Sequence, residues 1–256
     1  MKIKDVFNIL DKFYSFDSQD EWDRSGISTI DFLNDKLNNV FIALDISEEL
    51  ILEAISQNVN LIISHHPLYI DELDNKKVFV KKIEKLLKVN RISIISCHTN
   101  FDKNKHGMNY HLCKKMRLKS LKRIDNNEYI YFGDFLKAKS ISDIINLLKK
   151  NFNLEYVILP TSIELDKKIK RVAICGGAGS SFINDIKKKY KIDLYITSEI
   201  KWNYWNNKNN NELILCDVPH HIEKEFIVII YNLLTSHFNN ENNKFKIYEN
   251  RKINLF

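Results

Sequence analysis

Three short apolar runs, spaced by two helical patterns, dictate the architecture of the first half of this chain. Val40-Phe41-Ile42-Ala43-Leu44, Leu61-Ile62-Ile63 and Ile92-Ser93-Ile94-Ile95-Ser96 are bounded by polar residues, as buried strands are. Between them, residues 47–58 place Leu50, Ile51, Ala54 and Ile55 on one face behind a leading Ser, and residues 78–89 do the same with Val80, Ile83, Leu86 and Leu87. Strand, helix, strand, helix, strand at this spacing predicts a parallel sheet with right-handed crossovers. Similar grammar returns near the C-terminus. A strand at 171–175, a glycine-rich turn, a helix at 182–190, strands at 193–197 and 213–216, a helix from His221 to about Thr235 and a strand at 245–248 follow one another. The middle is less regular, with a strand at 129–132, a helix at 140–150 capped by Ser140 or Ser142, and a strand at 157–159 that Pro160 ends. The expectation is an α/β protein of two interconnected lobes with largely parallel sheets, divided into 1–123, a connecting segment 124–166, and 167–256. Polar loops are expected at 206–211 and 239–243.

Composition narrows the class. At 256 residues and 44% hydrophobic the chain can bury a core and does not read as disordered, and six Gly and three Pro exclude a collagen-like or linker composition. No run approaches the roughly 18 apolar residues of a membrane span, and Met1-Lys2-Ile3-Lys4-Asp5 lacks the charged-then-apolar layout of a secretion signal. Cys97, Cys113, Cys175 and Cys216 form neither a CxxC pair nor a dense framework, so a reduced cytoplasmic protein is expected. The net charge of +6 is mostly Lys spread along the chain, with one dense basic run from Lys114 to Arg123. That run reads first as a solvated helix end and loop, and second as a patch for phosphates.

The chemistry-bearing residues gather at strand ends. Four of the eight histidines form two adjacent pairs, His65-His66 after the second strand and His220-His221 after the strand at 213–216, and Pro67 and Pro219 flank them. The third strand runs into Cys97-His98-Thr99-Asn100-Phe101-Asp102. In open parallel sheets ligands bind at the carboxyl ends of the strands. His65, His66 and Asp102 can converge from neighbouring strand ends, and His221 and Glu225, four apart at a helix start, share a face. Three imidazoles and two carboxylates exceed one closed site and suit two divalent ions about 3.5–4 Å apart with a bridging carboxylate. Each feature alone has an ordinary structural use. A strand-end His can be satisfied by the core, a His/Glu spacing of four is a common helix face, and Gly176-Gly177-Ala178-Gly179 lacks the order of a nucleotide fingerprint and reads as a tight turn. Cys97 and Cys175 read as small core residues.

Those same residues carry a family resemblance. Ile62-Ile63-Ser64-His65-His66-Pro67-Leu68 resembles the strand-then-HHP signature of the Nif-three-like proteins, commonly named GTP cyclohydrolase 1 type 2 homologs. Glu21-Trp22-Asp23-Arg24-Ser25-Gly26, His98-Thr99-Asn100-Phe101-Asp102 with Gly107-Met108-Asn109, Gly176-Gly177-Ala178-Gly179-Ser180-Ser181, Asp193 through Lys201, and His221-Ile222-Glu223-Lys224-Glu225 resemble further family motifs in the right order. The resemblance implies a toroidal homohexamer with a dinuclear metal centre facing the interior of the ring. It implies the ligands His65, His66, Asp102, His221 and Glu225, with Glu225 bridging. The chain departs from the pattern where Ser198 stands for Gly, where Trp202 and Asn203 stand for a following His, and where His220 replaces the Gly before the last ligand. His220 therefore stands as an alternative to His221, which is preferred because it puts Glu225 four residues on. The family's insert domain is absent or very short.

Function follows as two readings. The first is a metal-dependent hydrolase acting on a nucleotide or related substrate through a metal-bridging hydroxide, with Glu225 and His98 as catalytic residues and His98 as orienter or proton carrier. The ions are Zn, Mn, Fe, Ni or Mg. A guanine nucleotide is implied only by the family name. The second is a metal-stabilised ring that serves as a scaffold or binds protein or single-stranded nucleic acid without catalysis. Metal storage ranks last, since no Cys lies in a ligand pattern. Trp202 and Trp205 suit an interface, a pocket lid or core packing.

Overall fold

A computed structural model describes residues 1–27, 32–71, 73, 76–187, 190–205, 213–239 and 244–249. The polar loop expected at 206–211, and all but Asn239 of that at 239–243, lie outside the described residues. In chain order the elements are α1 (Ile3–Phe13), β1 (Gly26–Ile27), β2 (Asn39–Ala43), α2 (Glu48–Ser56), β3 (Val59–Ser64), α3 (Val78–Asn90), β4 (Ser93–Ser96), α4 (Thr99–Asp102), α5 (Met108–Lys115), β5 (Lys119–Ile124) and β6 (Asn127–Ser140). Then come α6 (Ile141–Phe152), β7 (Lys168–Ile174), α7 (Ile183–Lys187), β8 (Leu194–Thr197), α8 (Trp202–Trp205), β9 (Ile214–Asp217), α9 (Glu225–His237) and β10 (Phe245–Ile247). No helix among the described residues is long and apolar enough to cross a membrane.

The chain divides into two compact units, Met1–Phe101 with Phe226–Phe256, and Asp102–Glu225. In the first, the sheet order is β1-β4-β3-β2-β10. β10, β2, β3 and β4 run parallel, and only the short β1 is antiparallel. All six residues of β3 are buried, as in a strand covered on both faces. The Ser47 hydroxyl accepts from the Leu50 amide and starts α2, whose Leu50, Ile51 and Ala54 join Ile83 and Leu87 of α3 over Phe41 and Ile62. Register then decides where the loops emerge. Ala43 pairs with Ser64 and Ser64 with Ser96, so β2, β3 and β4 end flush and the residues after them leave side by side.

The second unit holds the sheet β5-β6-β7-β8-β9. Here β7, β8 and β9 are parallel, but β5, β6 and β7 are antiparallel. The expectation of largely parallel sheets thus fits the first sheet, while the second is mixed. The cause is local. Only Asp125 and Asn126 separate β5 from β6, Asn126 takes a left-handed φ of 60°, and a two-residue link can join only antiparallel strands. Residues 124–166 supply β6 and α6 to this unit. α6 starts at Ser140, whose hydroxyl accepts from the Asp143 amide while the Asp143 carboxylate accepts from the Ser140 amide. The strand expected at 157–159 is reduced to one bridge between Ile158 and Asp217. The helix expected at 182–190 is a 3₁₀ turn at Gly179–Phe182 followed by α7.

Ile62 sits at the centre of β3 with no exposed surface. Ile62→Ala is expected to cost about 2–5 kcal/mol in urea unfolding of metal-free protein, through lost burial and an unfilled cavity.

Candidate metal centre

In the first unit the flush strand ends present three histidines. The ladder continues one step past β3, with the His65 amide donating to the Ala43 carbonyl and the His66 amide to that of Leu44. His65 is fully buried, and its Nδ1 lies 2.8 Å from the Cys97 carbonyl on the neighbouring strand. A carbonyl only accepts, so Nδ1 carries the hydrogen and Nε2 carries the lone pair. Carboxylates hold the other two rings the same way. His66 Nδ1 is 2.6 Å from Asp45 Oδ1, and His98 Nδ1 is 2.8 Å from Asp23 Oδ1. The ring centroids lie 4.9 Å (His65–His66), 5.3 Å (His65–His98) and 5.6 Å (His66–His98) apart. One nitrogen from each falls within 4.8 Å of those of the other two. Phe101 and Phe226 pack against the His65 ring. A metal-binding imidazole commonly has its second nitrogen hydrogen-bonded to a carbonyl or carboxylate, which fixes tautomer and aim. All three rings meet that requirement.

Asp23 organises one side of this group. Its Oδ2 accepts from Ser25 Oγ at 2.5 Å, Thr99 Oγ1 at 2.6 Å and the Thr99 amide at 3.0 Å, while Oδ1 takes His98 and the Arg24 amide. Burial pushes the Asp23 carboxyl up, but the bonds from His98, Ser25 and Thr99 together outweigh it and hold the group well below the usual carboxylate range. Neither Asp23 nor Asp45 was among the site residues expected from sequence. For Asp23 the signal was its place in the Glu21–Gly26 motif; for Asp45 there was only its position just past a strand end.

The second unit holds a different donor set. Asp102 and Glu223 are both nearly fully buried, and a carboxylate oxygen of each lies within 4.8 Å of the other. His220 to Lys224 form a 3₁₀ turn. In that geometry residues three apart eclipse, and His220 Nε2 meets Glu223 Oε2 at 2.9 Å while its Nδ1 meets Glu199 Oε1 at 2.7 Å. His221 points elsewhere, to Glu155 at 3.2 Å, and Glu225 is held by Lys115. The structure thus pairs His220 with Glu223 and does not pair His221 with Glu225.

The glycine-rich turn packs beneath this group. Gly177 has φ of +65°, and a Cβ there would lie 2.6 Å from Glu223 Oε1. Its carbonyl accepts from the Gly179 and Ser198 amides and from Thr197 Oγ1. The turn therefore serves close packing against β8 and the Glu223 carboxylate. Burial first, then the negative charges of Asp102 and Glu223, push the Cys175 thiol up, as for a small core residue. Imidazoles and carboxylates without thiolate make a donor set for Zn, Mn, Fe, Ni or Mg.

Comparisons with known proteins agree over the full length. The family model described as Duf34/NIF3 (NGG1p interacting factor 3) matches residues 1–253. The "GTP cyclohydrolase 1 type 2 homolog" of Ureaplasma parvum serovar 3 is 34% identical over 260 residues, spanning 99% of this chain and 97% of that protein. The protein of the same name from Mycoplasmopsis pulmonis is 31% identical over 96% of this chain and 98% of its own. The crystal structure of hypothetical protein SA1388 from Staphylococcus aureus superposes with a TM-score of 0.82 at 26% identity, over 98% of this chain and 97% of that one.

Asp23 yields a signed pH effect. Its folded pKa lies below the unfolded value of about 3.9. The stability from its ionised hydrogen bonds is thus complete above that unfolded value and is lost as pH falls through the folded one. Asp23→Asn is expected to be about 2 kcal/mol less stable than the parent at pH 7. In denaturant titrations the gap should narrow steadily below about pH 4.

Proposed function

Because the chain belongs to the Duf34/NIF3 family, we propose that it binds two divalent metal ions and is a metal-dependent hydrolase of a nucleotide or related substrate. The reading rests above all on the imidazoles of His65 and His66, each with its Nδ1 engaged from behind so that Nε2 is the ligating nitrogen, and on His98 beside them, oriented in the same way by Asp23. The ligands are His65, His66 and Asp102, with a His–Glu pair from the segment 220–225. Family resemblance favours His221 and Glu225 for that pair. The contact of His220 with Glu223, and the burial of Glu223 near Asp102, support His220 and Glu223 as residues that would hold the metal.

Divalent ions at such a donor set supply Lewis acidity and lower the pKa of water towards neutrality. The chain's own part is positional. His98 accepts and returns a proton at Nε2, and the Asp23 carboxylate behind it holds the ring's orientation. The burial of His65 beside Phe101 and Phe226 keeps bulk water from one side of the group. The name carried by the relatives makes a guanine nucleotide the first substrate to offer. Cys97, Cys113, Cys175 and Cys216 are buried free thiols, which supports a reducing, cytoplasmic setting. Assembly as a ring-shaped homohexamer is part of the proposal on family grounds.

Elemental analysis of untagged protein is expected to find about two ions per chain, and His65→Ala to lower that count. His220→Ala and Glu223→Gln should lose metal while His221→Ala and Glu225→Gln retain it; the opposite result would restore the pair implied by resemblance. Protein loaded with Mn or Zn is expected to turn over GTP or another member of a nucleotide panel. Full metal occupancy with no turnover across the panel would instead favour the scaffold reading.

A further inference from the structure

The dense basic run noted in the sequence forms one wall of a concave site in the second unit. A cavity of about 640 Å³ is lined by Lys114, Arg117, Lys119, Lys137 and Lys139, and no Asp or Glu is among its lining residues. None of these five cations is ion-paired among the described residues, whereas the nearby Lys115 and Arg123 are engaged by Glu225 and Glu128. The floor is apolar, with Leu118 and Phe135 buried, and Leu136 stands at the rim 79% exposed. Tyr110 and Ser120 add hydroxyls. Asp102, His220, His221, Glu223 and Glu225 are not among the lining residues.

The backbone is irregular on both sides of this cavity. Arg117 and Ser120 have φ of 62° and 52°, a left-handed conformation that non-glycine residues adopt uncommonly. They bracket Lys119, where the β5/β6 register shifts. On the opposite wall, Asp134 pairs with Arg171 but Lys139 with Ile169, so β6 takes five steps against two on β7. The surplus residues bulge outward and carry Leu136 and Lys137. Lys170 Nζ pins that bulge by donating to the Phe135 and Leu136 carbonyls at 2.5 and 2.9 Å. Bulges of this kind re-aim side chains and recur beside binding sites. Here two of them turn cations from two strands toward one space.

From this arrangement we infer that the groove between α5, β5 and the β6 bulge is a binding site for a small organic polyphosphate, of the nucleoside di- or triphosphate class. Clustered unpaired cations recognise several phosphates at once. The apolar floor and the exposed Leu136 suit a flat organic moiety beside them. The dimensions favour a small molecule over a strand, because the cations line one cavity of about 640 Å³, the size of a small-molecule site. The site is distinct from the proposed metal centre and requires no metal.

Titration calorimetry on the full chain in EDTA, with inorganic tripolyphosphate, ATP and a twelve-nucleotide single strand as three arms, tests this. Tripolyphosphate and ATP are expected to bind, ATP the tighter of the two. Lys119→Glu with Lys137→Glu should weaken both about tenfold or more. Lys81→Glu with Lys88→Glu, the same charge change on α3 in the other unit, should leave both unchanged. Leu136→Ala should weaken ATP and spare tripolyphosphate, a split that a misfolded variant would not produce. Three results would overturn the inference: no binding of either polyphosphate by the folded parent, equal weakening by the α3 pair, or a strand that binds more tightly than ATP.

Discussion

Each of the three clustered histidines is aimed by what stands behind it. A neutral imidazole has one donor and one acceptor nitrogen, and the partner of the first decides where the second points. The Cys97 carbonyl does this for His65, Asp45 for His66 and Asp23 for His98. The Cys97 carbonyl is in reach only because β3 and β4 end in register, with Ser64 opposite Ser96 and the two hydroxyls 2.9 Å apart. A one-residue slip would turn alternate side chains to the other face and send His65 away from the group. The parallel sheet is therefore a condition of the cluster's chemistry. Burial of the whole length of β3 holds that register against slippage.

In the second unit helical pitch plays the equivalent part. His220, His221, Glu223 and Glu225 lie within six residues, and which His meets which Glu depends on the turn they adopt. An α-helix from His221 would align it with Glu225. The chain instead follows Pro219 with a 3₁₀ turn, where a spacing of three eclipses, and begins α-helix only at Glu225. This aligns His220 with Glu223 and leaves Glu225 to Lys115. Gly177 completes the arrangement by having no Cβ where Glu223 Oε1 lies.

These two cases show what could be read from residues alone. β2, β3, β4 and their helices were legible because apolar period, strand length and the Ser47 cap agree, and the flush strand ends placed His65 and His66 correctly at the sheet edge. The helix after β6 was legible too, though the choice of Ser140 over Ser142 as its cap came only with the structure. Three things were not legible. β10 was recognisable as a strand, but its pairing with β2, some two hundred residues away, is a tertiary choice with no local mark. The antiparallel half of the second sheet hinged on the Asp125-Asn126 turn, which follows β5, a strand too polar to read as one. The choice between pitches of three and four after Pro219 separates conformers too close in energy for spacing to settle, so the His220/His221 ambiguity in the sequence was real.

The basic run from Lys114 to Arg123 shows how composition and structure answer different questions. A net charge of +6 spread over 256 residues says little about binding, since scattered lysines are solvated and screened within about 10 Å. What matters is whether cations distant in sequence share one space without carboxylates among them. Lys115 and Arg123, inside the run, are neutralised by Glu225 and Glu128 and drop out of any such field. Lys137, outside the run, is brought in by the β6 bulge, and Lys139 joins it where regular pairing resumes. The positive surface is thus assembled by backbone irregularity. Regular pairing of β6 with β7 would have removed the bulge that carries Leu136 and Lys137.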